Sequence, residues 1–198
     1  CGLTAVGHYS SAWDIYLIAK EAMKYEKFQN AAYTTWYEIP PTNKCEKTRV
    51  FHTTNSLLDS WRISGYEYGP ARGIKTGHTE DAGYCLVSLA AQGSRTLYGV
   101  ILGAEVGESR TTGNTVIQSF AEMARLFDWG FENFVSKTVL EDTELIQEVP
   151  VSLSKESNYV VVHPAYTATA MLPVDLDPAE MQRTVSLYNE VARAPIVA

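Results

Sequence analysis

Apolar residues recur three and four apart after Ser10-Ser11-Ala12-Trp13-Asp14, at Trp13, Leu17, Ile18, Ala19 and Ala22. This spacing predicts one amphipathic helix running to about Tyr25. Ser11 is placed to cap it, and Asp14, three residues on, to return a bond in capping-box style. Between Phe28 and Val50 the pattern fades, and Ile39-Pro40-Pro41-Thr42-Asn43 excludes regular helix, because proline has no amide hydrogen and restrains the residue before it. Loop and short strand are expected there. Asn55-Ser56-Leu57-Leu58 suits a helical turn, and Gly65-Tyr66-Glu67-Tyr68-Gly69-Pro70 is turn chemistry.

Two apolar, β-rich runs follow, Ala82 to Ala91 and Arg95 to Ala104, joined by Gln92-Gly93-Ser94. A short glycine-containing loop between such runs predicts an antiparallel hairpin. Thr115 to Trp129 carries Val116, Phe120, Met123 and Phe127 at helical spacing, with Gly130 where a left-handed cap would end the helix. After Val139 the texture changes to short β-type runs, Leu145 to Leu153 and Tyr159 to His163, punctuated by Pro150, Pro164, Pro173 and Pro178. The expectation is a first domain over residues 1–138 and a β-rich domain over 139–198. Ser186 to Val191 reads as a strand whose partners would follow Ala198, so the second domain is expected to be incomplete.

Composition narrows the class. The 198 residues are 45% hydrophobic and 20% charged, the profile of a folded globular chain. The net charge of −7 comes without a basic stripe to neutralise a phosphate backbone, which argues against nucleic acid as a partner. No apolar run is long enough to span a bilayer, and Cys1-Gly2-Leu3 opens the chain without a signal-peptide pattern, so any export signal or anchor is expected outside it. The missing initiator methionine suggests processing or a fragment. Three cysteines, Cys1, Cys45 and Cys85, allow at most one internal disulfide, and Cys85 reads as a small buried hydrophobe. Four scattered histidines offer no metal-ligand pair, so neither a metal nor an organic cofactor is called for.

The chemistry concentrates in Gly73-Ile74-Lys75-Thr76-Gly77-His78-Thr79, ahead of Ala82-Gly83-Tyr84. Lys-Thr-Gly is the third signature of the active-site serine acyl-transferases that include penicillin-binding proteins. Together with Gly7-His8-Tyr9-Ser10-Ser11-Ala12-Trp13-Asp14, Thr54-Asn55-Ser56-Leu57-Leu58 and Gly103-Ala104, in that order, it resembles the serine D-alanyl-D-alanine carboxypeptidases, which are low-molecular-mass penicillin-binding proteins. The resemblance implies an α/β (α+β) fold, part of a β-lactamase-like antiparallel sheet with packed helices. It also implies extracytoplasmic localisation, at the outer face of the cytoplasmic membrane, and a substrate that is a peptidoglycan stem peptide ending in D-Ala-D-Ala. β-Lactams would bind where the full site is assembled.

In that family Lys75 would border the cleft and grip the substrate carboxylate, with the Thr76 hydroxyl beside it. Gly77 would let substrate backbone approach closely, and the backbone N–H of His78 would be an oxyanion donor. Arg110, following Gly103-Ala104, could extend the electropositive ground, although a surface role is preferred for it. Asp14 is read as a cap and His8 as a turn residue.

Two family motifs have no well-placed match. The mechanism needs S-x-x-K, a serine with a base one helical turn on, and the literal match Ser152-Leu153-Ser154-Lys155 lies in strand-like sequence after Lys-Thr-Gly. Thr53-Thr54-Asn55 and Thr112-Gly113-Asn114 imitate S-x-N only loosely and are read as structural. The chain is therefore expected to be the C-terminal portion of a longer carboxypeptidase, inactive alone. Apolar surfaces of the hairpin and the 115–129 helix would be covered by the missing N-terminal segment or a second copy. The alternative is a non-catalytic peptidoglycan-binding or regulatory module with the same fold.

Overall fold

The computed structural model describes residues 2–108, 115–186 and 192–193, arranged as two compact units that divide between Glu132 and Asn133. In the first unit the order is α1 (Ala12–Ala22), α2 (Glu26–Tyr33), β1 (Trp36–Ile39), β2 (Arg49–His52), β3 (Ala71–Thr79), β4 (Gly83–Gln92), β5 (Arg95–Ala104), β6 (Val106–Glu108), β7 (Thr115–Ile117) and α3 (Gln118–Asn133). β3, β4 and β5 form one antiparallel sheet in that order, so β3 is an edge strand. β1 pairs with β2, and β6 with β7, as separate antiparallel ribbons.

The predicted hairpin forms with Gln92 opposite Arg95, leaving Gly93 and Ser94 as the turn. Gly93 takes a positive φ of 59°, which suits the twist of a two-residue hairpin. Alternation then sorts the sheet's faces. Leu86, Ser88 and Ala90 of β4 stand opposite Ile101, Gly99 and Leu97 of β5 on one face. Here α3 packs, and Leu86, Ala90, Phe120, Met123, Phe127 and Phe131 join Leu57 and Ala71 in the core. Fully burying a side chain such as Phe127 or Leu86 contributes about 2–3 kcal/mol. On the opposite face α1 lies over β5 and β4, where the Tyr16 ring meets Tyr98 edge-on with centroids 5.7 Å apart.

Three expectations are corrected. Residues 26–33, where no helix was expected, form α2. Its packing against β3 decides this, overriding a weak local pattern. Gly130 does not cap α3, which continues to Asn133. It is buried inside the helix, where a Cβ would lie 2.7 Å from Leu97 Cδ1, so its role is close helix–sheet approach. α1 begins as predicted at Ser11, whose Oγ accepts from the Asp14 N–H at 3.1 Å and donates to the Asp14 carboxylate at 2.8 Å. Its apolar stripe is nevertheless exposed, with Trp13 at 66% and Ile18 at 64%, while Ala19 and Met23 are buried. Exposed aromatics thus gather on α1 and on β1–β2 (Trp36, Tyr37, Phe51), whereas the hairpin exposes Leu102 alone of its large apolar side chains and buries or half-buries the others, and α3 exposes Leu126 and Trp129.

The second unit holds β8 (Phe134–Leu140), β9 (Gln147–Ser152), β10 (Tyr159–Val162), β11 (Ala168–Pro173), a short 3-10 turn at Pro178–Glu180 and β12 (Ala192–Arg193). β11 pairs with β8 and β10 with β9, both antiparallel, and β12 adds to β9 in parallel. The strand expected at Ser186 to Val191 falls, except for Ser186, outside the described residues. No helix among the described residues is long and apolar enough to cross a membrane.

Candidate active-site wall

β3 is fixed at its start by a single carbonyl. The Gly73 oxygen accepts from Asn55 Nδ2 at 3.1 Å and from Ser88 Oγ at 2.5 Å, and both side chains are buried. Asn55 Oδ1 in turn accepts from the Leu57 N–H at 3.1 Å, tying the 55–58 turn to the sheet. Gly73 has a φ of 91°, and a Cβ there would lie 3.1 Å from Ala32 of α2. Only glycine meets both demands.

Beyond that anchor, Lys75, Thr76, Gly77 and His78 pair with Val87, Leu86, Cys85 and Tyr84 of β4. Lys75 is exposed, and its Nζ donates to the Thr76 carbonyl at 2.5 Å. Lys75, Thr76 and Ile74 line a cleft of about 320 Å³, shared with Trp36 and Tyr37 of β1, Phe51 and His52 of β2, and Thr53, Thr54 and Asn55. The His52 ring stacks flat on Trp61 with centroids 4.0 Å apart. Residue 75 therefore lies at a groove with its ammonium in reach of solvent. A roomier cleft of about 680 Å³ lies between the Gly65–Glu67 turn, Glu108 and α3, and none of its lining residues belongs to the Lys-Thr-Gly segment.

Gly77 differs from Gly73. It is exposed, and a Cβ there would meet only Cys85 Cβ at an ordinary 3.8 Å. Nothing inside the fold requires a glycine at that position. The His78 ring is exposed and tilts against Tyr84 at 4.1 Å. The two-residue period of a strand puts the His78 N–H on the same edge as the Thr76 carbonyl.

Other sequence candidates lie elsewhere. Arg110 and the Thr112-Gly113-Asn114 triplet are outside the described residues. Ser152 ends β9, and Lys155 follows in a bend after Leu153, so the literal S-x-x-K is not on a helix. Asn55 of Thr53-Thr54-Asn55 is the structural clamp on Gly73, but Thr54 reaches the cleft. Its Oγ1 lies 2.5 Å from Thr76 Oγ1. Cys45 and Cys85 are free thiols, and Cys85 is half-buried rather than buried, with Sγ directed to the Ala82 carbonyl at 3.5 Å. Sequence reasoning overlooked the β1–β2 wall of the cleft, whose aromatics carry no motif.

Residues 1–106 match the family described as D-alanyl-D-alanine carboxypeptidase, peptidase family S11. The chain is 29% identical over 155 residues to the D-alanyl-D-alanine carboxypeptidase DacF of Bacillus subtilis strain 168, an overlap of 78% of this chain and 35% of that protein. Its fold is similar to penicillin-binding protein 5 from Haemophilus influenzae, with a TM-score of 0.62 and 23% identity over 98% of this chain and 50% of that one. A mutant of the Streptomyces K15 DD-transpeptidase is also similar, at TM-score 0.52 and 28% identity, over 65% of this chain and 45% of that one. The chain thus spans about a third to a half of the length of these relatives. The match over residues 1–106 takes in α1, the Asn55 clamp and the whole Lys75–His78 edge, and the chain belongs to the D-alanyl-D-alanine carboxypeptidase family.

Proposed function

We propose that this chain carries the carboxylate-binding and oxyanion wall of a serine-type D-Ala-D-Ala carboxypeptidase of peptidoglycan maturation. That reaction removes the terminal D-alanine of a stem peptide through an acyl-enzyme, outside the cytoplasmic membrane. Lys75 and the Thr76 hydroxyl hold the terminal carboxylate by charge-assisted and neutral hydrogen bonds. The His78 N–H faces the carbonyl oxygen on which charge develops. Residues 1–138 belong to the carboxypeptidase domain, and residues 139–198 form its β-rich companion.

One observation carries the reading. Gly77 sits between a cleft-lining hydroxyl and the His78 amide on an exposed edge strand, and the protein's own packing gives no reason for it to be glycine. A peptide backbone laid along β3 supplies that reason, since a side chain there would hold it off.

Ser152 and Lys155 do not supply the nucleophile, because neither lies on a helix that would hold a base one turn from a hydroxyl. The expected outcome for the 198-residue chain is reversible binding of a D-Ala-D-Ala peptide by calorimetry, weakened about tenfold or more by Lys75→Ala. No penicilloyl adduct is expected by mass spectrometry. Equal binding by Lys75→Ala would overturn the assignment. A stable adduct would show that the chain holds its own nucleophile.

A further inference from the structure

We propose that Thr54 is a positioning residue of this site, which orients the Thr76 hydroxyl so that it donates into the cleft. This rests on the reading of β3 as the carboxylate wall.

Thr54 is held from both sides. The Thr53 N–H donates to the Thr35 carbonyl at the start of β1, at 2.7 Å, and Thr53 Oγ1 accepts from the Asn55 N–H at 3.2 Å. Asn55 is buried and bonded to Gly73 of β3. The backbone at residue 54 is therefore pinned between the two elements that wall the cleft, and its hydroxyl comes to rest 2.5 Å from that of Thr76. Among the described residues neither hydroxyl has a second hydrogen-bond partner, and both line the same cleft as Lys75.

A hydroxyl carries one proton and accepts at two lone pairs. In a bonded pair of hydroxyls one proton is spent within the pair, and the other points away from it. When Thr54 donates to Thr76, the Thr76 O–H is left to donate outward, polarised by the bond it receives. The Lys75 ammonium on the same strand makes an anion the favoured recipient. A carboxylate has only acceptor oxygens and uses such a donor fully. A terminal carboxamide keeps one carbonyl acceptor but has no charge and replaces the second oxygen by an NH₂ donor, so it gains less. Thr54 therefore contributes to selection for a free C-terminus.

The test uses the 198-residue chain with two probes, an N-acetylated peptide ending in D-Ala-D-Ala and the same peptide as its C-terminal amide, with affinities from calorimetry. Thr54→Val keeps the shape and removes the hydroxyl. It should weaken the acid about tenfold, or about 1.4 kcal/mol, and weaken the amide much less. Thr54→Ser should restore the acid to within about twofold. The Thr54→Val, Thr76→Val double variant should lose no more than Thr76→Val alone, because Thr54 acts through Thr76. Amide-proton spectra check that each variant is folded, and Thr54→Ala, which also removes the hydroxyl at this exposed position, carries the test if the valine variant is not.

Three results would overturn the proposal: an undiminished acid affinity in Thr54→Val, an equal loss for acid and amide, or no rescue by serine. If these occur while Lys75→Ala still weakens the acid selectively, Thr54 alone loses its role. If the unaltered chain binds acid and amide equally, the carboxylate reading of β3 falls and takes this proposal with it.

Discussion

Asn55 donates its side-chain amide to the Gly73 carbonyl at 3.1 Å, and through that bond a buried turn holds the first residues of the strand that carries Lys75. The same side chain accepts from the Leu57 N–H. Asn55→Ala leaves both partners without it in a buried setting, and should cost about 1–3 kcal/mol. Chemical denaturation should show a lower midpoint with an unchanged slope. Ser88→Ala should cost less, because Asn55 still serves the Gly73 oxygen.

The two glycines of β3 should respond in opposite ways. Gly73→Ala forces a side chain into a positive-φ conformation against Ala32, and should lower stability by about 1–2 kcal/mol or more. Gly77→Ala should leave stability within about 0.5 kcal/mol and abolish peptide binding. Thermal unfolding and calorimetry on the same two variants separate the cases. A large loss of stability in Gly77→Ala would place its role in the fold.

Tyr68 gives a handle on alkaline stability. Its phenol donates to Asp128 Oδ1 at 2.7 Å and its ring stacks on Phe127 at 5.9 Å. Burial first, and then the Asp128 carboxylate, push its ionisation well above the usual tyrosine range. For a raised pKa the stabilisation is complete below the unfolded value, about 10, and is lost as pH climbs from there towards the folded value. Tyr68→Phe should therefore flatten the fall in stability above about pH 10, and at neutral pH should cost about 1 kcal/mol. Burial also raises Tyr98, followed by Tyr33 and Tyr16, so ultraviolet titration should show one late phenol fewer in Tyr68→Phe than in the parent.

Glu67 works at the acid end. Its own N–H and that of Gly65, which donates to Oε2 at 2.8 Å, hold its carboxyl below the usual range. A lowered pKa stabilises above the unfolded value and loses that contribution as pH falls through the folded one. Carbon-detected NMR titration should find the Glu67 midpoint below the ordinary glutamate value, and Glu67→Gln should remove that low step. A midpoint at or above the ordinary value would mean that the Gly65 turn does not hold the carboxylate in solution.

Local patterns carry much of this molecule. Ser11 caps α1, Gly93 turns the hairpin, and the three- and four-residue spacing of Phe120, Met123 and Phe127 buries one face of α3. Lys-Thr-Gly with its flanks marked the family. What went unread had no local signature. α2 has a weak pattern of its own and is stabilised by packing on β3. Gly130 looks like a cap in sequence, and only the approach of Leu97 makes it a contact glycine.

The amino-acid order by itself determined the capped first helix and the hairpin, because these depend on neighbours within a few residues, while the Lys75–His78 strand was implied by the family resemblance that its motif carries. Tertiary structure alone decided that Asn55 clamps Gly73, that β1 and β2 face Lys75 across a cleft, and that Thr54 meets Thr76. Those contacts join residues about twenty or more positions apart, and packing and buried hydrogen bonds set them without leaving a repeat in the sequence.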